Sequence, residues 1–302
     1  SKLATILKIL YNVNIMKRII IETKYNDKKL SKVVLKEIQN MNYNIFCKLL
    51  RKKDIKVNQK RINKDIIVYE KDVVEIYMPE QLEKRNIKID KIFEDNNILI
   101  VNKPVNIEVT GENSITEILS RNYEEDKFKP QPCHRIDRNT TGLVIFAKNK
   151  EALNIMLDKF KKHEIEKHYL AVVYGIPKKK KDRLEAYLFK DNKKCRVYIS
   201  DVPKKGYQKI ITSYSVLEER KNNTTLLDVE IETGRTHQIR AHLAYIGYPI
   251  IGDGKYGKNE INKKYGKKYQ ILCSYKIKFN FSKEDGILSY LNGKIIQLNK
   301  KI

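Results

Sequence analysis

Two short segments hold residue types and spacings that could do chemistry. The first is His134-Arg135-Ile136-Asp137-Arg138-Asn139-Thr140-Thr141-Gly142, directly before the apolar run Leu143 to Ala147. Asp137 has Arg138 on one side and Arg135 two residues away on the other. Nearby cations favour an ionised carboxylate. A positioned, ionised carboxylate can act as nucleophile or base at a sugar centre. The bland alternative is a polar loop with surface ion pairs, each stabilising by about 0–1 kcal/mol. The second segment is Thr233-Gly234-Arg235-Thr236-His237-Gln238-Ile239-Arg240-Ala241-His242-Leu243. Thr236 is read as the cap of a helix over 236–246, ended by Gly247 and Pro249. Ile239, Leu243 and Ile246 fall at i, i+4 and i+7 and must face a core. His237 and Arg240 then share a different face. Arg235 would stand at a helix N-terminus, where free N–H groups favour anions. A bidentate meeting of Arg240 with Asp137 would leave neither charge alone.

Metal chemistry is the competing reading of the same residues. His134, Asp137, His237 and His242 are the conceivable ligands. His237 and His242 are five apart, which on a helix is about 140° of rotation, so they do not converge on one ion. No metal is expected, and His242 is read as a packed helix histidine. No G-x-G-x-x-G or Walker pattern occurs, so no nucleotide cofactor is expected.

The elements that must position these segments follow from composition and periodicity. The 302 residues carry 62 Lys+Arg against 37 Asp+Glu, a net charge of +25. Such a field favours phosphate-rich partners. Only 12 of the basic residues are Arg, and four of these (Arg135, Arg138, Arg235, Arg240) fall in the two segments. In a Lys-rich chain an Arg marks a place that needs a planar fork. The longest apolar runs are too short to span a bilayer, so no membrane is expected. Four scattered cysteines (Cys47, Cys133, Cys195, Cys273) fit a reducing cytoplasm.

Residues 1–15 read as an extension, with Met16-Lys17-Arg18 as the natural start. Residues 16–80 read as a small basic module, compact from residue 26. Ser31 is predicted to cap a helix burying Val34, Leu35 and Ile38. A second helix near Ile45 turns Phe46, Leu49 and Leu50 inward and Lys48, Arg51, Lys52 and Lys53 outward. Strands follow at Ile55 to Val57 and Val73 to Tyr77. Such a unit either presents Arg51, Lys52 and Lys53 to a phosphate backbone or is a solvated basic face. Residues 81–90, in a polar stretch from Pro79, read as a linker. From residue 91 the pattern becomes strand-rich: Ile98 to Val101, Leu143 to Ala147, Tyr169 to Tyr174, Thr212 to Leu217 and Leu226 to Ile231, with helices at Lys150–Lys162 and 236–246. The mixture predicts an α+β fold around a mainly antiparallel sheet flanked by helices.

At these residues the chain resembles the bacterial ribosomal large-subunit pseudouridine synthases of the RluA type. Their pattern H-R-L-D-R-x-[TS]-[TS]-G-L appears as His134 to Leu143, with Ile136 for Leu. Their pattern G-R-T-H-Q-I-R-x-H-L-x-x-x-G-x-P-I-x-G-D appears as Gly234 to Asp253. Further matches are Ile92-Phe93-Glu94-Asp95, Val101-Asn102-Lys103-Pro104, Lys167-His168-Tyr169-Leu170-Ala171 and Leu272-Cys273-Ser274. Residues 26–80 are similar to the small RNA-binding module that precedes the catalytic domain in many members.

The resemblance implies a mixed, mainly antiparallel sheet, no cofactor, and isomerisation of uridine in RNA. The N-glycosidic bond breaks, the base turns and a carbon–carbon bond forms. By position, Asp137 matches the catalytic aspartate and Arg240 the arginine paired to it. Tyr169 matches the tyrosine that stacks on the target base and helps remove the proton at carbon 5, and Leu272 the apolar wall of the pocket. Arg135, Arg138, Arg235 and His237 then face the RNA. Whether the carboxylate attacks the sugar or assists its deprotonation stays open. The expectation is a cytoplasmic, monomeric enzyme acting on RNA, with large-subunit ribosomal RNA as substrate. Two rivals are a non-catalytic RNA-binding or ribosome-assembly protein on the same fold, and a metal-dependent RNA hydrolase. Asn106 stands where the family often has Gly, and Asn tolerates a left-handed turn.

Overall fold

The computed structural model describes residues 14–38, 41–79, 89–111, 113–123, 127–282 and 286–299. Most of the segment read as an extension and nearly all of the linker lie outside these. The chain divides into two compact units, residues 1–88 and 89–302.

The first unit holds β1 (Asn14–Ile20), β2 (Lys28–Lys29), α1 (Leu30–Glu37), α2 (Tyr43–Arg51), β3 (Ile55–Val57), β4 (Lys60–Ile62), β5 (Ile67–Val68) and β6 (Val73–Pro79). A four-stranded sheet runs β1-β6-β3-β4. Val74, Ile76 and Met78 alternate inward along β6 and meet Leu30, Val33, Val34, Phe46, Leu49 and Leu50 of the helices. Two expectations are corrected here. Asn14 and Ile15, read as part of an extension, pair with Pro79 and Met78 at the start of β1. Ser31 is not a cap: α1 begins at Leu30, and the Ser31 N–H and hydroxyl both donate to Asp65, at 2.9 and 2.7 Å. A carboxylate 34 residues away thus satisfies a first-turn N–H that has no partner within the helix, which local sequence could not reveal.

The second unit contains β7 (Asp90–Glu94), β8 (Ile98–Lys103), α3 (Ile115–Asn122), β9 (Gln131–Pro132), β10 (Thr141–Ala147), α4 (Lys150–Lys161), β11 (Ile165–Tyr174), β12 (Lys181–Asp191), β13 (Arg196–Ser200), β14 (Gln208–Arg220), β15 (Thr224–Ile231), α5 (Gln238–Tyr245), α6 (Asn259–Lys264), β16 (Leu272–Phe279) and β17 (Ile295–Gln297). Its sheet follows β13-β12-β14-β15-β11-β16-β10-β8-β7, with β17 on β16 and β9 on β10. Among the described residues only β10–β16 pairs in parallel. The fold is therefore α+β with a mixed, mainly antiparallel sheet flanked by helices.

β8 and β10 are apolar along both faces because helices and loops cover them, so they show continuous runs rather than alternation. α4 is capped by Asn149, whose side chain accepts from the Ala152 N–H at 2.8 Å, and buries Ala152 and Met156. α5 lays Ala241 against Ala186, Leu188, Val197 and Ile210. β10, β16 and β11 cross at one line, where Gly142 pairs with Ser274 and Ser274 with Tyr169. Only glycine fits there: Gly142 has φ +109°, and a Cβ would lie 2.1 Å from the Ser274 carbonyl oxygen. Asn106 adopts φ 63°, the left-handed turn its residue type allows. No helix among the described residues is long and apolar enough to cross a membrane.

Candidate active site

The loop between β9 and β10 carries Asp137 and is held from both ends. His134 accepts from the Ile145 N–H through Nε2 at 3.1 Å and packs its ring 4.8 Å from that of Phe160. Burial pushes this imidazole down to about 3, so it is a neutral anchor. Further along, the fully buried Lys103 donates to the carbonyls of Pro104, Ile107 and Arg138 at 2.9, 2.8 and 2.8 Å. Burial pushes its ammonium down to about 8, against the opposing charges of Glu108 and Asp137. One side chain thereby ties the end of β8 to the residue after Asp137.

The second segment starts later than its sequence indicates. α5 begins at Gln238, with His237 as N-cap in the left-handed region (φ 54°) and no side-chain cap. Thr236 is exposed and does not cap. The Gln238 amide instead braces the turn before the helix: its oxygen accepts from Thr233 Oγ1 and the Arg235 N–H, and its nitrogen donates to Ile211 O and Thr212 Oγ1. The Arg235 N–H is thus already used, and Arg235 stands three residues before the helix rather than at its first turn. His242 pairs with Thr212 Oγ1 at 3.0 Å inside the core, and burial pushes it down to about 4.

Arg240 joins the segments, but not in the fork predicted. Its bidentate partner is Asp253: Nε donates to Oδ2 at 2.7 Å and Nη2 to Oδ1 at 3.1 Å. The remaining Nη1 donates to Asp137 Oδ2 at 2.8 Å. Asp253 is completely buried and also accepts the N–H groups of Lys255 and Tyr256 at 2.8 and 3.0 Å. Burial alone would raise its carboxyl, but Arg240 and these N–H groups hold it below the usual range. Asp137 Oδ1 takes no hydrogen bond among the described residues. His237 Nε2 lies 4.0 Å from Asp137 Oδ2, and its Nδ1 pairs with the Tyr256 hydroxyl at 2.8 Å. Burial lowers this imidazole's affinity for protons. The Tyr256 ring underlies the Arg240 guanidinium, 5.3 Å from its centroid.

These groups open on a cleft of about 390 Å³, within the range of ligand pockets. Tyr169, Leu272, Ile136 and Ile239 form its apolar wall. Tyr169 is buried, and burial followed by the negative charge of Asp137 raises its phenol, so the hydroxyl keeps its proton. A second recess of about 370 Å³ shares Asp137 and Arg240 with the first and adds Arg138, Lys190 and Lys255. Arg135, Arg138 and Arg235 are exposed at these mouths, so Asp137 is not crowded by its sequence neighbours. Arg135 instead approaches Glu108 at 4.0 Å. In the first unit Arg51, Lys52 and Lys53 are exposed at the end of α2.

Sequence reasoning assigned no role to Asp253, Tyr256, Lys103 or Lys167. Asp253 closes the uninterrupted segment 234–253, which was the signal available for it; nothing local marks Tyr256. Lys167 shares the cleft face of β11 with Tyr169, and burial pushes its ammonium down to about 8. Among the described residues, the carboxylate–histidine group close enough to bind a metal is Glu166, His168 and Glu230. It lies on the opposite face of β11 from Tyr169, and there His168 Nδ1 is bonded to Asp228.

Comparison with known proteins agrees with this architecture. Residues 97–245 match the RNA pseudouridylate synthase family. An uncharacterized RNA pseudouridine synthase of Mycoplasma capricolum is 32% identical over 94% of this chain and 98% of its own. Ribosomal large subunit pseudouridine synthase C of Haemophilus influenzae is 28% identical over 95% and 92%. The structure of human RNA Pseudouridylate Synthase Domain Containing 1 shares the fold, with TM-score 0.56 and 20% identity over 71% of this chain and 91% of that one. The fold is thus that of the pseudouridine synthases. The chain belongs to the RNA pseudouridine synthase family and is an isomerase.

Two measurements probe the site. Asp253→Asn strips the buried guanidinium of its main partner. It should lower unfolding free energy by about 3 kcal/mol in urea and reduce pseudouridine formation at least tenfold; unchanged values would show that the Asp253 fork does not organise the cleft. With its ammonium pushed down to about 8 by burial, Lys167 loses its charge as pH rises through that range. KM for RNA should therefore rise as pH passes 8, and Lys167→Arg, which keeps its charge, should flatten that rise.

Proposed function

We propose that the cleft isomerises a uridine extruded from large-subunit ribosomal RNA, with Asp137 as the reacting carboxylate. The observation that carries this reading is the single 2.8 Å bond from Arg240 to one oxygen of Asp137, which leaves the other oxygen without a hydrogen bond among the described residues, on a side chain that lines the cleft. The ribosomal substrate is supported by the name of the Haemophilus relative.

Flipping a base out of its stack costs a few kcal/mol. A ring such as that of Tyr169 returns about 1–3 kcal/mol per stacked base. Asp137 then either attacks C1′ of the ribose or removes a proton from the sugar; both break the N-glycosidic bond. The freed base turns and C5 bonds to C1′, as the Asp137–C1′ bond breaks on the first route or as the sugar takes its proton back on the second. The C5 proton leaves and N1 takes one up. Reactant and product have the same composition, so no co-substrate is consumed. The raised phenol of Tyr169 makes it a ring and donor at rest. Burial first and the charge of Asp137 second oppose loss of the phenolic proton, so consuming that charge removes the smaller of the two. Arg135, Arg138, Arg235 and His237 would face the RNA backbone around the cleft.

Residues 16–80 are proposed as a separate RNA-binding module, with Arg51, Lys52 and Lys53 on phosphates. Their exposure on one helix end supports this. The four cysteines form no disulfide, which fits a reducing cytoplasm, and the proposed reacting groups all come from one chain, which fits a monomer.

The test is pseudouridine mapping of ribosomal RNA from cells lacking the gene, complemented with wild type or Asp137→Asn. Wild type should restore at least one site in the large subunit. The variant should restore none yet bind RNA with near-normal affinity; product from the variant would remove Asp137 from the mechanism. Replacing Arg51, Lys52 and Lys53 with Ala should reduce the slope of log affinity against log salt by about 2–3, and an unaltered slope would take these residues off the RNA.

A further inference from the structure

Away from the cleft, three rings form one row across the sheet. Strand register sets Tyr198 of β13 opposite Phe189 of β12. Leu188 pairs with Gln208 of β14, which brings Tyr207, just before that strand, beside Phe189. The Phe189 and Tyr207 rings are stacked, 5.4 Å between centroids and 25° between planes. Leu188 and Val197, the chain neighbours of Phe189 and Tyr198, are buried against α5. Strand alternation therefore turns Phe189 and Tyr198 outward, where they stay 37% and 38% exposed. A contiguous exposed aromatic surface marks a place that something covers.

The surrounding charge says what. The Lys204 ammonium lies 5.7 Å from the centre of the Tyr207 ring. Lys193, Lys194 and Lys205 are exposed in the two loops that border the row. Flat faces among ammonium groups match nucleobases strung on phosphates: stacking tolerates any base, and the cations track the backbone. A sheet face with aligned aromatics is a general solution for holding unpaired RNA. Lys190, next to Phe189 in the chain, lines the recess beside Asp137. β13 is the edge of the sheet, so an RNA strand leaving the recess can turn round that edge onto the row.

We propose that Tyr198, Phe189 and Tyr207 form a second RNA site, which stacks unpaired nucleotides flanking the uridine held in the cleft. It rests on the RNA-modifying reading of that cleft. The chain contains no tryptophan, so Tyr207→Trp places a lone fluorophore in the row. Its emission should be quenched by a mixed-sequence single-stranded oligoribonucleotide and not by a blunt RNA duplex. The double variant Phe189→Ala/Tyr207→Ala should raise KM about tenfold for a substrate with unpaired flanks, leave kcat unchanged, and leave a bare stem-loop substrate unaffected. Emission untouched by RNA that saturates turnover, or equal quenching by duplex, overturns the platform, as does an unchanged KM on both substrates. A blue shift produced by a polypeptide and not by RNA also overturns it, in favour of a protein contact. Tyr207→Trp keeps a ring in place, so it reports even if the double variant fails to fold. If the wild type forms no pseudouridine in either RNA, the reading of the cleft fails, while quenching still decides the platform.

Discussion

One guanidinium is shared between two carboxylates, and the site is organised around that inequality. Asp253 is sealed from water and takes the fork of Arg240 together with two backbone N–H groups. Asp137 receives only the remaining N–H. Two opposite charges at 4 Å attract by about 4 kcal/mol at an effective dielectric of 20, and desolvation offsets much of it. The arrangement therefore contributes direction more than stability. Two negative charges face one positive one, and the excess sits on Asp137, the member that opens to the cleft. A fork onto Asp137 itself would have occupied both of its oxygens.

Around this charged core, other polar groups are satisfied in ways that keep them neutral or fixed. His134 is bonded to a strand N–H, and His242 and Gln238 to Thr212. Lys103 spreads its charge over three carbonyls. Buried polar groups with complete partners fix a unique arrangement, whereas partly satisfied ones permit several. The strained turn at His237 belongs to the same set: its left-handed backbone places the imidazole within 4.0 Å of Asp137 while Tyr256 holds the other nitrogen. The phenol of Tyr169 responds to the same anion, which couples the ring that would hold the base to the charge state of the group that would act on it.

The excess of lysine is spread over both units, whereas two arginines of the second unit use their planar groups. Arg240 uses its fork, and Arg196 and Arg240 both lie on the Tyr256 ring. Lysine supplies the diffuse field that draws a polyanion, and the aromatic row on β12 and β13 gives that field a surface with shape.

The amino-acid order by itself determined what depends on near neighbours. The apolar runs of β8 and β10, the face of α2 made by Phe46, Leu49 and Leu50, and the segments carrying Asp137 and Arg240 were legible because burial periodicity and motif spacing are local. Helix starts were less so: Ser31 and Thr236 have the right types for caps, but α1 begins one residue before Ser31, whose own N–H is taken by Asp65, and α5 begins two residues after Thr236, behind His237. β1 was missed because it is an edge strand with weak alternation. Only the tertiary structure decided who partners whom. Arg135 and Arg138 flank Asp137 in the chain yet point to the cleft mouths, while Arg240 reaches it across 103 residues. Adjacent residues on an extended loop diverge in direction. Charges meet inside a protein where packed strands and helices bring distant backbones together, and that closure is not written in any short stretch of the chain.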